Sequence, residues 1–110
     1  MVYTLFTLNK SLPRELVEVL LSKKQCEVYS GEQGRNVIVW KGTSDDASLL
    51  FESLIPEMKK LDARLITKET YRTYEAVKAF MSGGNYLPIL TAKELEQLIK
   101  ESQGNVRVEE

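Results

Sequence analysis

Two periods organise the apolar positions of this chain. Val2 to Leu8 is an unbroken run of β-branched and aromatic types, which predicts a strand buried in a sheet. Leu12, Leu16, Val17, Leu20 and Leu21 then recur at helical spacing behind Ser11, a capping type, and Pro13, which a first turn tolerates. Cys26–Tyr29 and Asn36–Trp40 flank Ser30-Gly31-Glu32-Gln33-Gly34-Arg35, which predicts an antiparallel hairpin with two glycines available for positive φ. A second helix opens at Thr43 or Ser44 and lines up Ala47, Leu50, Phe51, Leu54, Met58 and Leu61, with a kink or restart expected near Ile55 because of Pro56.

The second half repeats the alternation. Arg64–Thr67 predicts a strand, and a third helix starting near Thr70 carries Tyr74, Val77, Phe80 and Met81 inward until Gly83-Gly84 ends it. Leu87–Thr91 predicts a strand that Pro88 assigns to a sheet edge. Thr91 and Glu94 form a capping box for a fourth helix that buries Leu95, Leu98 and Ile99 and stops at Gly104. Val106-Arg107-Val108 then reads as a short edge strand or as part of a frayed tail over 104–110.

Strand, helix, strand, helix, strand favours crossovers. The expected fold is a single α/β domain over residues 1–110, with a mixed, mainly parallel sheet and helices on both faces. The alternative is a ferredoxin-like βαββαβ core, spelled by residues 2 to 67, with a C-terminal helical appendage. The run from Tyr74 to Ile99 also resembles the end of a BRCT domain. That likeness covers under a third of the chain, and Lys23-Lys24-Gln25 stands where the family has a glycine pair, so it is not adopted.

Composition narrows the function classes. Of the 110 residues, 43% are hydrophobic and 28% charged, which is ordinary globular usage. A net charge of -1 provides no general pull toward nucleic acid or anionic membranes, so both are disfavoured as partners. No apolar run approaches the roughly 18 residues of a membrane span, and no secretory signal opens the chain, so a cytoplasmic location is expected. Histidine is absent, which removes histidine-based triads and the usual zinc ligands. Cys26 is the one cysteine, read as a buried thiol rather than a nucleophile.

In a parallel sheet the outgoing loops would gather on one rim. Lys10, Lys41, Lys68 and Arg72 would then supply charge, and Thr43, Ser44 and nearby amides would supply geometry, for an anionic group at helix N-termini. Lys41-Gly42-Thr43-Ser44 lacks the full frame of a nucleotide-triphosphate loop. Asp45, Asp46 and Glu69 are weak candidates for a divalent metal, although acids in a first helical turn need no function to explain them. No cofactor motif is present.

Trp40, Tyr3 and Tyr29 would form a stacking platform if one sheet face were open, and Tyr71 and Tyr86 mark a candidate protein interface. The expected function is therefore non-enzymatic recognition of a nucleotide-like or acidic macromolecular anion. The alternatives are an interaction module or homodimer that sequesters another protein, and a metal-dependent phosphoesterase.

Overall fold

The computed structural model describes residues 1–109, with side chains described through Glu101. In chain order the elements are β1 (Val2–Leu8), α1 (Arg14–Leu21), β2 (Cys26–Ser30), β3 (Asn36–Gly42), α2 (Ser44–Leu61), β4 (Leu65–Tyr71), α3 (Tyr74–Gly83), β5 (Leu87–Pro88) and α4 (Ala92–Glu109). A single 3₁₀ turn, Glu32–Gly34, sits in the β2–β3 hairpin, where Gln33 and Gly34 both take positive φ.

The sheet is antiparallel throughout, with strand order β4-β1-β3-β2-β5. This corrects the expectation of a mainly parallel sheet. The strands at Leu65 and Leu87 are not neighbours joined by a crossover but lie on opposite edges. The physical reason is that β1 inserts between β3 and β4, and β3 inserts between β1 and β2. Each β-α-β unit is thereby split, and every neighbour in the sheet runs the other way.

Alternation along the strands divides the core in two. Phe6, Leu8, Cys26, Val28 and Ile38 face α1 and α2, where they meet Val17, Leu20, Ala47, Leu50, Leu54 and Met58. Leu5, Tyr29, Val37 and Val39 face the other way and meet Val77 and Met81 of α3. Helices thus cover both faces, and the aromatic platform is not one. Tyr3 and Tyr29 lie under α3, whereas Trp40 packs on the α1–α2 side.

Local chemistry explains the helix ends. The Asp46 amide donates to the Thr43 hydroxyl at 3.1 Å, and α2 runs on through Pro56 to Leu61, ending at Asp62 in the left-handed conformation. β4 extends to Tyr71, so α3 begins later than its pattern predicted, capped by Thr73. Thr91 and Glu94 exchange the two bonds of a capping box at 3.0 and 3.1 Å. α4 continues past Gly104, so residues 106–108 are helical rather than a strand, and the frayed tail expected over 104–110 ends on Glu110, outside the described residues.

Candidate functional site

The loop rim does not assemble. Leu8 pairs with Asn36 and Leu65, the starts of β3 and β4, whereas Lys41 pairs with Tyr3 at the start of β1. The outlet of β1 therefore lies at the opposite end of the sheet from the outlet of β3. Lys10 sits at the β1 outlet, where its ammonium donates to the Leu61 carbonyl at 3.1 Å and approaches the Asp62 carboxylate at 4.0 Å. It closes the C-terminal end of α2, a role the helix dipole favours.

Of the other expected residues, Lys41, Thr43, Ser44 and Arg72 share the opposite end of the sheet, and Lys68 does not join them. Ile66 opens β4 rather than ending it, so Lys68 is mid-strand, paired with Phe6, its ammonium 5.9 Å from that ring. Arg72 follows β4 at the end where Thr43 and Ser44 start α2. Asp45 and Asp46 occupy the first turn of α2 on one side of the sheet, and Glu69 pairs with Leu5 on the other. Among the described residues no group of three acidic, cysteine or histidine side chains is placed to hold a metal. Tyr71 and Tyr86 are half-buried against Phe80, with ring centroids 6.2 and 5.8 Å away, and help fasten α3 to the sheet.

A different site emerges along β2. A cleft of about 580 Å³ opens between β2, the C-terminal half of α3 and the β5–α4 turn, with Lys23, Lys24 and Lys78 on its rim and Met81, Tyr86, Pro88 and Ile89 on its apolar wall. A second cleft of about 360 Å³ adjoins it, lined by Tyr3, Lys24, Val39, Lys41 and Tyr74. Lys24, Glu27 and Tyr74 belong to both, so the two form one trough.

Glu27 is the centre of that trough. Its carboxylate accepts the Tyr29 hydroxyl at 3.0 Å and the Tyr74 hydroxyl at 3.1 and 3.3 Å. Burial, the neighbouring Tyr74 hydroxyl and the Glu27 charge push the Tyr29 phenol up. For Tyr74 the contact with Tyr29 lowers the phenol, but burial and Glu27 outweigh it and the net direction is up. Both phenols therefore stay protonated and donate. The acceptor capacity of Glu27 is turned inward, toward tyrosine rather than toward the lysines.

Among the described residues none of Lys23, Lys24, Lys41 or Lys78 forms an ion pair. Lys41 lies 5.9 Å from the Tyr3 ring centroid and Lys78 lies 5.2 Å from that of Tyr74, so aromatic faces hold two of the cations beside the trough. Four lysines face two acids, Glu27 and Glu94, and Glu94 is held below the usual carboxylate range by the Thr91 amide and hydroxyl that it caps.

The Cys26 thiol also borders the cleft. Burial pushes it up to about 12, with Lys23 opposing and Glu27 adding to the shift, so it is a neutral thiol at physiological pH.

Sequence reasoning reached Lys41, Tyr74 and Tyr86 as single residues but not the trough. Lys23-Lys24 directly before a strand, and Tyr74 and Lys78 one helical turn apart, were the available signals. Comparison with protein-family models, curated proteins and solved structures finds no match.

Proposed function

We propose that this chain is a non-enzymatic binding protein that takes a small anionic molecule with an apolar or aromatic body, of the nucleotide kind, into the trough beside β2. The observation that carries this reading is the set of four lysines that, among the described residues, form no ion pair and surround a cleft whose central carboxylate already accepts two tyrosine hydroxyls. Lys23, Lys24 and Lys78 meet the anionic head as point charges. Met81, Tyr86 and Ile89 give the body an apolar wall, the mixture of apolar lining and few polar anchors that ligand clefts share.

This reading keeps the expected anionic ligand and moves it to different residues. Lys41 is the only member of the expected rim that lines the trough. Thermal unfolding with AMP and with inorganic tripolyphosphate tests the reading. A ligand at 100 times its Kd adds about 2.7 kcal/mol to apparent stability. The expected result is a raised Tm with AMP that is lost in the Lys24→Glu, Lys78→Glu double variant. An unchanged Tm at millimolar AMP, or an equal rise in the double variant, overturns it.

A further inference from the structure

The two edges of the sheet are treated differently. The β2 edge is covered by β5, two residues long and ending in Pro88, which has no backbone donor. The β4 edge is bare. Among the described residues no strand pairs with the outer side of Leu65–Tyr71, a seven-residue row of main-chain groups. Such an edge is a template for another strand. We propose that β4 accepts an extended segment of a partner protein whose side chains alternate acidic and apolar. The β4 edge lies across the sheet from β2, Tyr86 borders both the trough and the recess beside β4, and the proposal does not depend on how the trough is read.

The side-chain code follows from register. The pairing shifts between Thr7 and Leu8, so Ile66 is an extra residue and regular alternation starts at Thr67. From there Lys68 and Thr70 share the α2 side with Phe6 and Thr4, and Arg72 is the next position of the same parity. Lys68 and Arg72 are exposed and, among the described residues, form no ion pair. Thr67, Glu69 and Tyr71 share the α3 side, where Glu69 already accepts the Tyr71 hydroxyl at 2.5 Å.

Next to them lies a cleft of about 470 Å³ lined by Thr67, Ala79, Phe80, Gly83, Gly84 and Tyr86, among others. A paired strand would thus find cations for one set of its side chains and an aromatic-walled recess for the other. Strand addition works in this way, with main-chain bonds supplying affinity and pockets for alternate residues supplying specificity.

A second copy of this chain is the wrong occupant. A two-fold axis through the sheet keeps each face continuous, so a register centred on Lys68 sets Lys68 against Lys68 of the second copy. Centring on Glu69 opposes the two glutamates, and centring on Thr70 opposes Lys68 to Arg72. The three central registers therefore each bring like charges together, which destabilises cross-strand pairs, and centring on Thr67 or Tyr71 leaves the regular part of the strand overlapping its copy only at its end.

The test uses a seven-residue, end-blocked peptide of alternating valine and glutamate, matched to the length of β4. Hydrogen exchange should slow for amides within 65–71, and affinity should fall at least tenfold when alternate peptide amides along one edge are N-methylated. The Lys68→Glu variant, a surface change, should lose binding by several-fold and gain it for the valine–lysine peptide. Equal binding of the N-methylated peptide, protection elsewhere on the chain, or indifference to Lys68→Glu would overturn the proposal. So would a dimer in light scattering whose β4 amides are protected without peptide.

Discussion

The Tyr74 hydroxyl donates to both carboxylate oxygens of Glu27, at 3.1 and 3.3 Å, across 47 positions of sequence. That pair ties α3 to β2. It also occupies part of the acceptor capacity of Glu27, so the same contact fastens a helix and leaves fewer carboxylate sites open to the surrounding lysines. Tyr74→Phe removes the donor while keeping the ring. The expected cost is about 1 to 2 kcal/mol in urea unfolding, the value of a hydrogen bond to a charged acceptor discounted for partial exposure. AMP affinity should fall with it, because the freed carboxylate turns toward Lys24 and Lys78; unchanged affinity would separate the two roles.

Cys26 yields a pH prediction. Its folded-state thiol stands at about 12 against an ordinary 9.0, so its contribution to stability is fully present below pH 9.0 and is lost as pH rises toward 12. Tyr29, raised for the same main reason, burial, acts in the same direction. Alkaline unfolding should therefore begin above pH 9.0. At pH 7.5 the thiol should react with an alkylating reagent far more slowly than in 6 M guanidinium, and equal rates would contradict the burial of Cys26.

Asn36 is a buried polar group whose Oδ1 accepts the Leu12 amide at 2.8 Å, positioning the approach to α1 from the start of β3. Asn36→Ala leaves that buried amide without its partner, at a cost of about 1 to 3 kcal/mol. Asn36→Asp keeps an acceptor. The aspartate variant also buries a charge and loses the donor to the Arg35 carbonyl, so chemical denaturation at neutral pH should show at least as large a loss as for alanine, and near-wild-type stability of the alanine variant would refute the bond's importance.

Thr43, Ser44 and Lys10 separate structural from binding roles. Thr43→Ala removes the cap of α2 and should cost about 1 kcal/mol. Lys10→Ala frees the Leu61 carbonyl at an exposed site and should cost less. Neither should alter AMP binding, which isothermal titration would check directly.

Much of the local structure was legible in sequence because it is set by neighbours. The Cys26–Trp40 hairpin, the Thr43 cap and the Thr91–Glu94 box all involve groups close along the chain, and all occur. Strand direction was not legible, since the same alternation of strands and helices fits a parallel sheet or one in which β1 and β3 split the units. β4 was cut short at Thr67 because an edge strand needs no apolar run, and Lys68-Glu69-Thr70 is such a polar stretch. The trough was hidden for a related reason. Lys23, Lys24 and Lys78 meet only when α3 packs across the face that carries Glu27 and Tyr29.

The central claim is where an anion binds. Titration of the protein with AMP, followed by backbone amide chemical shifts, locates it residue by residue. The largest shifts are expected at residues 23–29 and 78–89, with saturation, and they should disappear in the Lys24→Glu, Lys78→Glu variant. Shifts centred on residues 43–46 at the start of α2, or none at all, would contradict that claim.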